Sequence, residues 1–319
     1  MIAPSPITFL DRSQIEQRLR GLDLVRLMEE AFAAFSRGEA VVPPPGELLF
    51  ESPPGEVHIK YGYLKGGDTY VVKIASGFWH NPERGLSSSD GLLLVFRKET
   101  GELAAVLNDR GHLTDLRTAA AGAVAAKYLA PERIDAIGVL GTGIQAELQV
   151  RLLQSVRPCR RIVIWGRNPE RASAYSQRMR DEGFIIEAVH SPAEVASRCR
   201  LIITATASQN PLLQWSDLHP GTHITAIGAD SADKQELDPA IITRADLVVT
   251  DSRIQGRSRG ELWHAYGGDD TAMGRIAEIG EIVQGTAKGR TAAGQVTVST
   301  FSGLAIQDIA IASAVLGQS

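Results

Sequence analysis

Ile137-Gly138-Val139-Leu140-Gly141-Thr142-Gly143-Ile144-Gln145-Ala146 places a G-x-G-x-x-A run directly after an apolar strand and at the start of a helix. Glycines there let the backbone turn tightly and approach a pyrophosphate, whose charge then rests on the helix N-terminus. A lone run of this kind also describes a structural glycine turn. Here the next apolar stretch, 161–165, falls where the second strand of a dinucleotide fold belongs. The reading is therefore a cofactor cradle built from Gly141, Thr142, Gly143, Ile144 and Gln145.

Outward from this stretch, an Ala-rich helix at 116–130 precedes apolar runs at 136–140, 161–165, 184–188, 201–204, 223–227 and 247–250, which alternate with amphipathic segments. Parallel strands need crossover helices and bury both faces, so the alternation predicts a doubly wound parallel sheet. The N-terminal part reads differently. Apolar residues over 15–35 recur at helical spacing and break at Gly21, giving two helices, and Pro43-Pro44-Pro45-Gly46 ends that stretch as a turn. Short β-rich runs at 57–63, 70–76, 91–96 and 103–107, divided by turn signals such as Gly66-Gly67-Asp68, predict an antiparallel sheet with hairpins. A strand at 295–299 and an apolar helix at 304–316 follow. The expected fold class is α/β: a Rossmann-like doubly wound dinucleotide-binding domain at 117–296, and an α+β substrate-binding and dimerisation domain at 1–116 plus 297–319.

The 319 residues include 33 Lys or Arg against 37 Asp or Glu, a formal net charge of −4, and 44% hydrophobic residues, enough for a large core in two domains. With no Lys/Arg-rich run, the footprint for a phosphate backbone is missing, and no nucleic-acid partner is expected. Residues 1–10 lack the basic flank and apolar stretch of a signal peptide, and no apolar run is long enough to span a bilayer, so the expectation is a cytoplasmic protein with no membrane partner. Cys159 and Cys199 lie outside any C-x-x-C spacing, and the histidines form no H-x-x-x-H or H-E-x-x-H run. Neither a disulfide framework nor a metal is expected.

The second strand of the dinucleotide fold ends in Trp165-Gly166-Arg167-Asn168. An acid at this position accepts hydrogen bonds from ribose hydroxyls, whereas an Arg accommodates a 2′-phosphate. No acid stands here, so Arg167, with Asn168 beside it, favours NADP(H) over NAD(H), which stays possible. The alternative is a solvated loop cation.

Val72-Lys73-Ile74, Leu113-Thr114-Asp115-Leu116-Arg117-Thr118-Ala119-Ala120, Gly141-Thr142-Gly143-Ile144-Gln145, Gly228-Ala229-Asp230 with Lys234, and Gln295-Val296-Thr297-Val298 follow one another in this order. The chain resembles the ornithine cyclodeaminase/mu-crystallin family in these blocks, over nearly its whole length. The resemblance implies chemistry at the Cα–N bond of a small amino or imino acid: an NAD(P)H-dependent imine or ketimine reductase, or an amino-acid dehydrogenase. A redox-neutral cyclodeaminase that releases ammonia with bound NAD+ stays open, as does a cofactor-binding protein like mu-crystallin. A homodimer is expected, with the apolar final helix and the hairpin carrying Tyr61, Tyr63 and Leu64 as candidate interface.

Lys73 stands between apolar residues and reads as half-buried, and a desolvated lysine either yields its proton more easily or stays charged and holds a carboxylate. An edge-strand surface lysine is the plainer alternative. The resemblance assigns Lys73 to the reacting centre, Arg117 to the substrate carboxylate and cofactor phosphates, and Asp230, after Gly228, to proton transfer. A helix-surface Arg and an Asx turn or helix N-cap are the alternatives for the last two. Ser89, Thr206 and Lys234 match family residues near the cofactor, and Ser302 is counted with the substrate contacts. Ornithine-using members resemble one another in an Arg before the first hairpin and a Glu on its first strand. This chain has Pro44-Pro45-Gly46-Glu47-Leu48 and Lys60 instead. Lys60 repels a terminal ammonium and attracts a carboxylate, so the expected substrate has an anionic or neutral side chain, unless Lys60 is only a strand-surface charge.

Overall fold

The structure is a computed structural model that describes residues 6–318. Residues 1–5, part of the stretch read for a leader, and Ser319 lie outside them. The chain divides into two units, one of residues up to Arg117 with those from Leu304 onward, the other Thr118–Gly303.

Among the described residues the first unit holds a seven-stranded sheet. Its strands are β1 (Thr8–Asp11), β2 (Ala40–Val41), β3 (Gly46–Glu51), β4 (Pro54–Leu64), β5 (Thr69–Phe78), β6 (Ser89–Arg97) and β7 (Leu103–Asn108), in the order β1-β7-β6-β5-β4-β2 with β3 also on β4. The sheet is mixed, because β1 runs parallel to β7 while the hairpins are antiparallel as expected. Strand β3 starts at the end of the turn at 43–46 and runs through a stretch in which no strand is expected. Its Leu48, Leu49 and Phe50 form an unbroken, exposed apolar run rather than an alternating one, so no period of two marks it.

Alternate residues Val71 and Lys73, Leu93 and Val95, and Ala105 and Leu107 face one side of the sheet and are buried. Helices Arg12–Leu19, Leu24–Ser36 and Ala305–Leu316 pack with this sheet. The break expected at Gly21 falls between the first two, where its φ of +81° suits glycine. Asp11 and Asp23 start these helices by accepting hydrogen bonds from Gln14 N and Arg26 N. Helix Ala305–Leu316 is apolar on nearly all sides and packs against Leu24–Ser36, β4, β5 and β6, with Ile306 and Ile311 fully buried. A helix of that composition belongs inside a core, which removes it as an interface element. Across the sheet, Tyr61, Tyr63, Tyr70 and Val72 line a groove of about 700 Å³.

The second unit carries a parallel sheet of β8 (Ile137–Leu140), β9 (Arg161–Trp165), β10 (Ile185–Ala188), β11 (Leu201–Thr204), β12 (His223–Ala226), β13 (Leu247–Thr250), β14 (Ala277–Glu278) and β15 (Thr297–Thr300), in the order β10-β9-β8-β11-β12-β15-β13-β14. Strand order reverses at β8, which pairs with β9 on one side and β11 on the other. In doubly wound sheets ligands bind beyond the carboxyl ends of the strands at this reversal. Strand β15 is wholly buried between β12 and β13, so residues 297–303 belong to this unit and not, as expected, to the C-terminal part of the first. Its Thr-Val-Ser-Thr backbone needs ladder partners on both sides, and only an interior position supplies them. No helix among the described residues is long and apolar enough to cross a membrane.

Helix His112–Leu129, which carries Arg117, starts from a tight turn in which Arg110 has φ +56° and Gly111 φ +83°. Asp109 sits fully buried before it, accepting the Leu113 N–H at 2.7 Å through Oδ2, while Oδ1 has no hydrogen-bond partner among the described residues. Burial pushes the Asp109 carboxyl up to about 6.

Two outcomes follow from this packing. Ile306→Ala removes a fully buried side chain from the terminal helix and should lower the unfolding free energy in urea by about 3 kcal/mol; a loss under about 0.5 kcal/mol would mean the helix is not core. Asp109 binds its proton more tightly folded than unfolded, so its contribution to stability falls as pH rises through its folded pKa of about 6 and is flat above. Relative to the parent, Asp109→Asn should therefore gain about 2 kcal/mol in unfolding free energy between pH 4 and pH 7. An equal variant-minus-parent difference at both pH values would show that Asp109 does not titrate there.

Candidate active site

In the first unit, Lys73 on β5 stands directly opposite Lys60 on β4, so the two ammonium-bearing side chains share a sheet face. Both are buried, at 2% and 7% exposure, which makes Lys60 more than a strand-surface charge. Lys73 Nζ lies 3.9 Å from Asp308 Oδ2, and Asp308 Oδ1 accepts from Arg117 Nε at 3.2 Å. Gln307 grips the same arginine: its Oε1 accepts from Arg117 Nη1 at 3.3 Å and its Nε2 donates to the Arg117 carbonyl at 3.3 Å. Arg117 is thus a buried, clamped guanidinium, 4% exposed, and not a helix-surface cation. Its Nη2 has no hydrogen-bond partner among the described residues, and a carboxylate matches that remaining donor edge.

Asp308 and Gln307 did not emerge from the sequence reading, although a signal was present. They are an adjacent polar pair inside an otherwise apolar helix, and a buried charge requires a partner. Which partner it finds is decided only by packing.

In the second unit the loops after β8, β11 and β12 lie at the carboxyl edge of the sheet. Gly141 has φ +125°, and a Cβ there would collide with the Ala205 carbonyl oxygen. Gly143 is the N-cap of helix Ile144–Leu153 without any side-chain cap bond, and nothing lies within 4 Å of where its Cβ would stand. The first amides of that helix therefore have no side-chain cap, and a backbone can approach closely at Gly143, as binding of a pyrophosphate requires. Thr142 packs against Gly166, Ile144 is exposed, and Gln145 accepts a long bond from Gln149 at 3.5 Å. The cradle fits a nicotinamide dinucleotide.

At the end of β9, Arg167 is exposed. Asn168 is already engaged: its Oδ1 accepts the Arg171 N–H at 2.9 Å and caps helix Pro169–Asp181. Thr206 donates through both its amide and its hydroxyl to Glu236 Oε1, at 2.6 and 2.7 Å. Gly228 N and Thr204 Oγ1 donate to Glu236 Oε2, at 2.9 and 2.7 Å. A Cβ on Gly228 would collide with the Thr206 backbone, so this close approach demands glycine. Glu236 is fully buried, and burial pushes its carboxyl up against the pull of those donors. Beside it, Glu261 accepts the Glu236 and Leu237 amides and is itself pushed up by burial to about 8. Glu236 escaped the sequence reading because nothing in its local pattern marks it; its four donors come from two loops distant in sequence.

Asp230 follows Gly228 with its side chain 39% exposed, and Lys234 Nζ approaches its Oδ1 at 2.8 Å. The helix that follows begins only at Pro239 and is capped by Asp238, so Asp230 is not a helix N-cap. Ser302 donates to Gln255 Oε1 at 2.9 Å and to Asp251 Oδ1 at 3.3 Å, a clasp that also takes the Gly303 amide. Ser89 is exposed at the start of β6 in the first unit, where its amide donates to Ser87 Oγ. Among the described residues no group of three His, Cys, Asp or Glu is placed to hold a metal.

The sequence profile of the ornithine cyclodeaminase/mu-crystallin family matches residues 7–318. An uncharacterized cyclodeaminase of Sinorhizobium fredii is 40% identical over 295 residues, 92% of this chain and 89% of that protein. Among solved structures, the Δ1-pyrroline-2-carboxylate reductase of Thermococcus litoralis, in complex with NADH and L-proline, superimposes with a TM-score of 0.90 at 28% identity, over 98% of this chain and 97% of that one. An archaeal alanine dehydrogenase dimer with bound NAD gives a TM-score of 0.89 at 31% identity, over 98% and 95% of the two chains. The chain belongs to the ornithine cyclodeaminase/mu-crystallin family.

Proposed function

We propose that this NAD(P)H-dependent oxidoreductase of Cα–N chemistry works as an imino-acid reductase that prefers NADP(H), takes a substrate with an anionic or neutral side chain, and acts as a homodimer. The observation that carries the reading is the clamped Arg117 beside Lys73 on a buried face, an arrangement suited to a small anion such as a carboxylate. Arg117 binds the substrate carboxylate through its Nη2 edge, and the Lys73 ammonium neutralises the same group. A bound nicotinamide supplies the hydride for the imine carbon. Asp230 moves the proton at the substrate nitrogen, and the Lys234 ammonium holds its carboxylate when it is ionised. Residues 141–145 bind the pyrophosphate, and Thr206 and Gly228, latched by Glu236, shape the neighbouring cofactor wall.

Arg167 supports the NADP(H) preference: it is an exposed guanidinium at the end of β9, where no acid competes for the ribose. The similar structures hold NAD or NADH, and the NADP(H) reading rests on Arg167 alone. For the dimer, the groove lined by Tyr61, Tyr63 and Tyr70 is the apolar face available, and the archaeal neighbour is itself a dimer. The cyclodeaminase relative favours a second reading, in which a diamino acid loses ammonia without net redox change.

The deciding experiment follows nicotinamide absorbance with NADPH and, separately, NADH, offering cyclic ketimines and α-keto acids with ammonia or methylamine. Decay with at least one imine, and a kcat/KM about tenfold higher with NADPH than with NADH, is expected. Equal efficiency would remove the preference. A flat trace with ammonia released from ornithine or lysine would replace the reductase by the cyclodeaminase.

Lys60 decides side-chain charge. In Lys60→Glu, selectivity for the imine of oxaloacetate over that of pyruvate should fall about tenfold, and a cationic substrate should gain. Unchanged selectivity would mean that Lys60 does not face the substrate side chain.

A further inference from the structure

Asp308 presents a puzzle that the proposed reaction does not explain. A site that binds a carboxylate has no direct use for a second carboxylate beside its arginine, yet Asp308 lies there at 1% exposure. Nor does it follow from stability, since burying an ion pair costs about as much in desolvation as the pair returns, and an apolar replacement is often no worse. Its contacts are specific. Oδ1 accepts from Arg117 Nε at 3.2 Å, and Oδ2, 3.9 Å from Lys73 Nζ, has no hydrogen-bond partner among the described residues. The neighbouring Gln307 takes Arg117 Nη1 and donates to the Arg117 carbonyl, while its Oε1 also accepts the Leu304 amide. The first turn of the terminal helix therefore holds one arginine by its side chain and its backbone.

Two consequences follow. With Nε and Nη1 engaged, the guanidinium plane cannot rotate, and the Nη2 edge is the one left for a ligand. Lys60 and Arg117 bring further positive charge to the buried Lys73 ammonium, and the Asp308 carboxylate that faces it at 3.9 Å offsets that repulsion. Other titratable groups on the elements packed here include Glu56 and His58 on the Lys60 face of β4, Asp109 at the end of β7, whose ionised form Asp308 disfavours, Asp115 on the helix of Arg117, and half-buried Glu29 on helix Leu24–Ser36.

We propose that Asp308 is a positioning residue that fixes the ligand-facing edge of Arg117 and keeps Lys73 charged, so that a substrate carboxylate meets two oriented cations. This rests on the carboxylate-binding reading above.

The test compares the full-length parent with Asp308→Asn, which keeps shape and removes charge, and Asp308→Glu, which keeps charge and adds a methylene. Three quantities are read: affinity for succinate, a non-reducible carboxylate, by calorimetry in the presence of NADP+; the pH profile of kcat/KM for imine reduction; and the melting temperature. Asp308→Asn should weaken succinate about tenfold and move the alkaline limb of the profile about one pH unit lower, the direction expected when Lys73 loses its counter-charge, with NADP+ affinity unchanged. Asp308→Glu should keep the parent's alkaline limb even if its KM rises. A parent-like profile and succinate affinity in Asp308→Asn, whatever its melting temperature, would overturn the proposal. If Asp308→Asn does not fold, Asp308→Glu decides: a retained alkaline limb supports the role, and a shifted one refutes it. Should the parent reduce no imine, the reductase reading fails alone, and calorimetry still judges Asp308: succinate binding lost with the charge supports it, and no succinate binding by the parent defeats it.

Discussion

A single carboxylate held between two buried cations ties together the parts of the first unit that are farthest apart in sequence. Asp308 comes from the terminal helix, Lys73 from the middle of a sheet strand, and Arg117 from the opening of the helix that leads into the second unit. Placing three charges away from water is costly, and the cost is met by mutual pairing and by Gln307, which accepts from the guanidinium at Nη1 and donates to the arginine's own carbonyl. The apolar terminal helix is then a delivery device as well as a core element. Its isoleucines anchor it against the sheet, and that anchoring brings Gln307 and Asp308 to the arginine.

The second unit uses the same physics on backbone amides. Glu236 collects donors from the loops after β11 and β12 on its two oxygens, and Glu261 in turn collects the amides of Glu236 and Leu237. Buried carboxylates of this kind are tolerable only when well supplied with donors, and the supply fixes the loops that provide it. Gly228 permits the contact because no side chain intervenes. The result is a rigid edge on which Thr206, Gly228 and Asp230 occupy set positions, beside a glycine cradle whose helix amides have no side-chain cap.

Much of this was legible beforehand, for identifiable reasons. The alternation of strands and helices after residue 130 is a short-range pattern, and the structure follows it strand for strand through β13. Lys73 announced its burial through apolar neighbours, and Gly141 through the run that only glycine can make. The readings that changed were those in which local pattern and global packing part company. Residues 297–300 read as a strand from their β-branched residues, but whether they pair in one sheet or the other is a matter of long-range register. The terminal helix is apolar all round, a pattern shared by interfaces and cores, and packing against β4, β5 and β6 resolved it.

By itself, then, the amino-acid order determined the doubly wound class, the place of the glycine turn after β8, and the burial of Lys73 among apolar neighbours. These are properties of contiguous residues, encoded in periodicity and in the special backbone freedom of glycine. Only the tertiary structure decided that Lys60 is buried beside Lys73, that Asp308 and Gln307 clamp Arg117, and that Glu236 latches two loops. Each of these is a contact between side chains or amides separated by many residues. Electrostatic pairing in a low-dielectric interior depends on distance in space, to which sequence separation is no guide.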